Sequence, residues 1–331
     1  MNEHELDTIG IVGMGEVGAA IAYACVIQGV ADRYLLHDVD VDKARAHGMD
    51  IAHGRAFAPA CEIDVVDEPT GLAPADIIVI TAGAKQKPGQ SRMDLAETNV
   101  RLMDALMPRL LDAAPNAVYL LVSNPVDVIT IVTHEHVVSR GGDGRRVIGS
   151  GTVLDTARFR HELAHRLDVS ATSVHAYIVG EHGETELPLW SSATVGGTPL
   201  HLYKPKGKRP ITVQERSSLL ESVRSAAQKI IEGKGATSQA IGLSAARICS
   251  AVLRDEHAVL PVSSFHETFD ELNIDPVCFS VPSVVGANGV HRVIEELPFN
   301  EAERAGLEAS AAHIVKVFQR CRAAETAGER A

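Results

Sequence analysis

The sequence predicts an α/β chain in which a doubly wound parallel sheet is followed by a second, mixed α/β domain. Three observations predict it. Short apolar runs alternate with longer amphipathic ones through the first half, the spacing of βαβ units. A glycine-rich turn joins the first apolar run to the segment over 16–28. The apolar residues are mostly aliphatic: hydrophobic residues make up 45% of the 331 and aromatic residues only 4%, as buried parallel strands require. A chain of 331 residues suits about two domains. We place them at 1–149, a dinucleotide-binding unit, and 150–331, a substrate-binding unit.

The elements follow in order. Residues 8–13, 34–38, 63–66, 77–81, 117–122 and 146–149 read as strands. Residues 16–28, 41–53, 91–114 and 125–139 read as the helices between them. In the second half, 154–167 reads as a helix and 173–208 as a strand-like, turn-rich segment. Helices follow over 212–231 and 237–253, then strands over 258–263 and 278–285, then a last helix over 300–322. The polar tail to Ala331 is expected to fray.

Charge and cysteines narrow the function classes. The formal net charge is −12, which argues against a nucleic-acid partner. The five cysteines, Cys25, Cys61, Cys249, Cys278 and Cys321, are scattered and form no C-x-x-C pair. They read as free thiols of a reducing compartment. The start, MNEHELD, lacks a signal peptide's basic and apolar regions, and no apolar run approaches the roughly 18 residues of a membrane span. The expectation is a cytoplasmic protein with no membrane contact and no bound metal.

Gly13-Met14-Gly15-Glu16-Val17-Gly18 is a G-x-G-x-x-G between an apolar strand and an apolar helix, the context that gives the pattern meaning. The first glycine allows a tight turn, the second lets a pyrophosphate approach the backbone, and the third lets helix and strand pack closely. Asp38 ends the second strand, 20 residues after Gly18. A carboxylate there accepts from the adenosine ribose hydroxyls and repels a 2′-phosphate, so NAD is expected rather than NADP. Lys43 supports a phosphate or is simply solvated.

Four later segments are polar for their surroundings: Gly83-Ala84-Lys85-Gln86-Lys87-Pro88-Gly89-Gln90-Ser91-Arg92, Val122-Ser123-Asn124-Pro125-Val126-Asp127, Leu154-Asp155-Thr156-Ala157-Arg158 and Gly180-Glu181-His182-Gly183-Glu184. The first is a loop with glycines that can hinge a lid. The second ends a strand, where ligands of open α/β sheets bind. In the third, Asp155 and Arg158 share a helix face.

In these segments and their order, the chain closely resembles the L-lactate and lactate-like malate dehydrogenases, from Ile9 to about Phe318. The resemblance implies a Rossmann domain with a mixed α/β substrate domain, NAD as cofactor and a homotetramer. It also implies roles that suit the chemistry. Reducing a 2-keto acid moves a hydride to carbon and a proton to oxygen. His182 supplies the proton, and Asp155 orients and stabilises its imidazolium. Arg158 holds the substrate carboxylate through its planar fork. Arg92 arrives with the lid and stabilises charge on the carbonyl oxygen. Asn124 bonds that oxygen and helps place the nicotinamide. Gly83 and Ala84 border the cofactor, and Thr237 forms part of a small wall.

Gln86 discriminates between substrates. Related malate dehydrogenases carry Arg there for a second carboxylate, and lactate dehydrogenases carry Gln. The expected substrates are therefore pyruvate and L-lactate. Lys85 and Lys87 flank Gln86 and keep malate as the alternative. Arg160 and His175 match positions that bind fructose 1,6-bisphosphate in allosteric bacterial relatives, and imply a phosphate site shared between subunits. A non-catalytic NAD sensor would bind cofactor without turnover. An NAD-dependent glycosidase would need a metal-binding cysteine near His182, and none is present.

Overall fold

The computed structural model describes residues 6–84, 92–205, 209–269 and 272–328; the side chains of Arg92 and of residues 325–328 lie outside that description. The first half follows the expected alternation: β1 (Thr8–Val12), α1 (Glu16–Gln28), β2 (Arg33–His37), α2 (Val41–His53), β3 (Glu62–Val65), β4 (Ile77–Ile80), α3 (Arg92–Ala113), β5 (Val118–Leu121), α4 (Val126–Ser139) and β6 (Val147–Gly149). These six strands are parallel and lie in the order β3-β2-β1-β4-β5-β6. The chain winds outward in two directions from β1 and β4, leaving a crevice at their carboxyl ends. β1, β4 and β5 are buried at every position, which explains their unbroken apolar runs.

The second half continues as α5 (Val153–Leu167), β7 (Val174–His175), β8 (Ile178–Val179), β9 (Leu187–Pro188), β10 (Thr194–Val195), β11 (Thr198–Pro199), α6 (Val213–Lys234), α7 (Gln239–Leu253), β12 (Ala258–Leu260), β13 (Ser263–His266), β14 (Val277–Ser280), β15 (Ser283–Gly286), β16 (Gly289–Val293) and α8 (Glu301–Gly328). Here the sequence reading needs correction. The strand expected over 258–263 is two strands in different sheets, β12 beside β15 and β13 beside β6. Likewise, 278–285 divides into β14 and β15. Pro261 and Pro282 lie at the two breaks; each lacks the N–H that would continue a ladder. β16 was not anticipated. α8 runs on to Gly328, into the tail expected to fray, and Arg322 ties it to α3 and α4 by bonds to Asp104 and Glu135 at 2.7 and 2.6 Å.

The two halves share one core. The hairpin β13–β14 pairs antiparallel onto β6 and extends the large sheet to eight strands. On one face, Ile9, Ile11 and Val79 pack with Ile21 and Cys25 of α1 and Ile248 and Cys249 of α7. On the other, Ile78 and Ile80 pack with Met103, Ile129 and Leu307 of α3, α4 and α8. Each fully buried aliphatic side chain contributes about 1.5–3 kcal/mol relative to exposure. A third cluster, Phe159, Leu163, Val174, Ile178 and Val195, holds α5 against the short strands. All five cysteines are free thiols. No helix among the described residues is long and apolar enough to cross a membrane.

Candidate active site

The glycine turn is set by steric exclusion. Gly13 has φ +98°, and a Cβ there would lie 2.6 Å from the Ala82 nitrogen. A Cβ on Gly18 would lie 1.9 Å from the Gly13 carbonyl oxygen. Gly15 is different: a Cβ there would meet only the Lys43 Nζ, at 3.8 Å. Open space above Gly15, a cation at its edge and an α1 N-terminus without a side-chain cap together suit a pyrophosphate. Val17 packs against the core beneath the turn. Asp38 is half-buried and already has a structural task. Its two oxygens accept the Met14 and Asp40 amides at 2.6 and 2.9 Å. Each oxygen has a further lone pair for a ribose hydroxyl.

The neighbouring strand ends are joined by a residue the sequence reading missed. Asn99 of α3 is 1% exposed. Its Oδ1 accepts the Ala84 amide at 2.8 Å, and its Nδ2 donates to the Asn124 carbonyl at 2.6 Å. The Ser123 hydroxyl donates to the Ala82 carbonyl at 2.7 Å. Gly83, Ala84 and Asn124 thus stand side by side at the carboxyl ends of β4 and β5. The only signal for Asn99 was an uncharged polar residue on the apolar face of a long helix. Gln86 lies outside the described residues, as does the side chain of Arg92.

The residues expected to transfer a proton meet nearby. His182 Nδ1 is 2.6 Å from Asp155 Oδ2, and Arg158 Nη1 donates to Asp155 Oδ1 at 2.7 Å. An ionised carboxylate only accepts, so Nδ1 carries the proton facing Asp155 and Nε2 is the atom left for exchange. Asp127, in the first turn of α4, accepts the His182 amide at 2.8 Å. It belongs to the polar segment 122–127, and no role is expected of it from the sequence. The His182 loop is also tied to α8, because the Glu181 amide donates to the Ser310 hydroxyl at 2.8 Å.

The electrostatics suit an acid. The Asp155 charge raises His182 to about 9 against the effect of burial, and the Asp155 hydrogen bond and Asp127 add to the rise. Burial pushes Asp155 upward, but His182 and Arg158 outweigh it and hold the carboxyl below its ordinary range. Burial raises Asp127 to about 6, opposed by its contacts with Ser263 and His182. Among the described residues, Asp155, His182 and Glu186 are the three whose ligand atoms lie close enough to share a cation, within 4.8 Å. The Arg158 guanidinium and the proton on His182 oppose a further positive charge there.

The remaining candidates are more dispersed. Thr237 is half-buried between α6 and α7, beside Ser238, whose hydroxyl accepts from Lys234 Nζ at 3.2 Å. Arg160 donates to the Ala176 carbonyl at 2.9 Å and lies 5.0 Å over the Tyr177 ring. His175, on β7, is exposed. A cavity of about 280 Å³ lined by Asp76, Asn116 and Arg146 opens at the amino ends of the strands, the end opposite to where ligands of such sheets bind.

Known proteins match this arrangement along nearly its whole length. The model of the lactate/malate dehydrogenase NAD-binding domain matches residues 8–149, and that of the lactate/malate dehydrogenase alpha/beta C-terminal domain matches 152–324. An L-lactate dehydrogenase of Bifidobacterium animalis subsp. lactis is 43% identical over 304 residues, covering 92% of this chain and 93% of its own. One from a Synechococcus strain is 44% identical over 306 residues, covering 92% and 96%. Among solved structures, a lactate dehydrogenase from a Medee basin deep-sea metagenome library superposes with a TM-score of 0.89 at 34% identity, covering 96% of this chain and 99% of its own. The minor L-lactate dehydrogenase of Enterococcus mundtii also gives 0.89, at 36% identity, covering 95% and 98%.

Proposed function

This chain belongs to the lactate/malate dehydrogenase family, and from that premise we propose that it interconverts pyruvate and L-lactate with NAD in the cytoplasm. The observation that carries the reading is the Arg158–Asp155–His182 chain, at 2.7 and 2.6 Å, beside the carboxyl ends of the sheet. NAD, when bound, gives or takes the hydride at the substrate's C2. Gly13, Gly15, Gly18, Asp38 and Lys43 hold it by backbone approach, ribose contact and charge.

In the direction of reduction, His182 Nε2 passes its proton to the carbonyl oxygen as the hydride reaches carbon. In oxidation it takes the proton back. Asp155 keeps the ring in the productive tautomer and stabilises the imidazolium. Arg158 has one guanidinium nitrogen committed to Asp155. Its role is to orient the substrate carboxylate through the rest of the fork. Arg92 and Asn124 stabilise the oxygen that gains charge, and Thr237 bounds the methyl end.

Gln86 carries the choice of substrate. In a closed site oxaloacetate's second carboxylate lacks a cation opposite Gln86, at a cost of several kcal/mol. NADH oxidation with pyruvate and with oxaloacetate tests this, and a higher kcat/KM for oxaloacetate overturns it. Gln86→Arg is expected to move preference toward oxaloacetate by orders of magnitude.

The regulatory part of the proposal is activation by fructose 1,6-bisphosphate at Arg160 and His175, shared between subunits of a homotetramer. Arg and protonated His are suitable phosphate partners. Pyruvate saturation curves with and without the bisphosphate test it, alongside light scattering. Unchanged curves at mildly acidic and neutral pH remove it. The proposed division into 1–149 and 150–331 is supported by the end of β6 at Gly149 and the start of α5 at Val153.

A further inference from the structure

The His182 cluster has a fourth member that the proposed reaction does not use. Glu186 lies in the same loop and is 2% exposed. Its Oε1 is buried and has no hydrogen-bond partner among the described residues. Its carboxyl, the Asp155 carboxylate and a His182 ring nitrogen lie within 4.8 Å of one another. Arg224 of α6 reaches this residue, but donates to the backbone carbonyl, at 2.5 Å.

An ionised carboxylate is poorly housed in such a place. One oxygen is dry and unbonded, and the nearest acidic neighbour, Asp155, is already charged. A neutral carboxylic acid avoids both penalties. The sum of local charge then matters for an anionic substrate. With Glu186 neutral, Asp155 (negative), Arg158 (positive) and protonated His182 (positive) leave one net positive charge. With Glu186 ionised they leave none.

We propose that Glu186 is a protonated carboxylic acid in the substrate-binding state, a positioning residue that keeps the His182 cluster positively charged toward an anionic 2-keto acid. The inference rests on the proposed 2-keto-acid chemistry and deepens it. The competent site then holds two exchangeable protons, one on His182 and one on Glu186.

The surrounding charges fit that assignment. Burial, then Asp155, raise Glu186 to about 8, while His182, Arg224 of α6 and Arg158 of α5 act against the rise. His182 stands at about 9 and also faces Asp127 of α4. Both protons are held at neutral pH and both are lost on the alkaline side. Because the two groups interact, the two losses belong to the pair.

The test is proton uptake when oxamate, which carries an amide nitrogen in place of pyruvate's methyl, binds the NADH complex. Calorimetry in buffers of different ionisation enthalpy, from about pH 7 to about pH 10, gives the count. In the unmodified protein, uptake is expected to climb past one proton toward two. In Glu186→Gln it is expected never to exceed one. Correspondingly, KM for pyruvate above both ionisations should rise about a hundredfold per pH unit in the unmodified protein and about tenfold in Glu186→Gln. Uptake that saturates at one proton in the unmodified protein overturns the inference, even if the variant does not fold. Uptake above one in Glu186→Gln also overturns it. Pyruvate turnover is assayed in the same preparation. No turnover removes the proposed function and this inference with it, whereas turnover with one-proton uptake removes the inference alone.

Discussion

The cofactor turn is shaped by backbone that leaves no room for a Cβ, Gly18 against Gly13 and Gly13 against Ala82, whereas His182 is set by the carboxylates of Asp155 and Asp127, 27 and 55 residues away. At the turn, function depends on atoms that are missing: a Cβ on Gly18 would collide with the Gly13 carbonyl. At His182 it depends on side chains that hold other side chains. A substitution at the turn should therefore act on packing and cofactor binding together. One in the cluster should act on proton transfer while the cofactor still binds.

Four measurements test that contrast. The largest expected effect is at His182. His182→Gln should lower kcat for pyruvate reduction by about a thousandfold while NADH binding, read by fluorescence titration, stays intact. Loss of NADH binding would show that the two regions are not separable. Next is Gly18→Ala, which should cost more than about 3 kcal/mol, seen as a lower Tm together with lost NADH affinity. A stable variant that lost only turnover would reverse the contrast.

Asp155→Asn should be intermediate. The Asp155 charge is the largest cause of His182's rise to about 9, so its removal returns the imidazole toward the ordinary value near 6.5. The acid form, the proposed proton donor in reduction, is then scarce above neutral pH. At about pH 8, kcat/KM for pyruvate should fall by about thirty- to a hundredfold, with the alkaline limb of the pH profile moved downward. An unmoved limb would mean that Asp155 positions the ring without setting its charge. The smallest effect is Lys43→Ala. This exposed cation near Gly15 should weaken NADH binding only about two- to fivefold. A much larger loss would show that side-chain charge, not backbone shape, governs the turn.

How much was legible follows the same division. α1 and α2 have the bounds read from the sequence, because the residues that flank them, Gly15 and Gly29, Asp40 and Gly54, are local signals. The expected strands over 258–263 and 278–285 failed as units. Apolar runs do not reveal which sheet a strand joins, and a proline inside them marks a change of partner only once the partners are known. Asp155, Arg158 and His182 were named in advance because their motifs resemble a known family. Asn99, Asp127 and Glu186 were not. A buried asparagine or carboxyl looks like any other polar residue until its neighbours are in place.

The alternating strands and helices, the glycine turn with its acidic partner, and the residue types suited to proton transfer can be read from the chain alone. Each is a steric or chemical property of a short stretch of chain. The tertiary structure alone decided that β13 and β14 complete the first half's sheet. It also decided that Asp127 holds the His182 amide and that Glu186 lies dry beside the cluster. Those outcomes depend on burial and on distances between segments far apart in sequence. Burial and distance fix the free energy of a charge, and neither exists until the chain has packed.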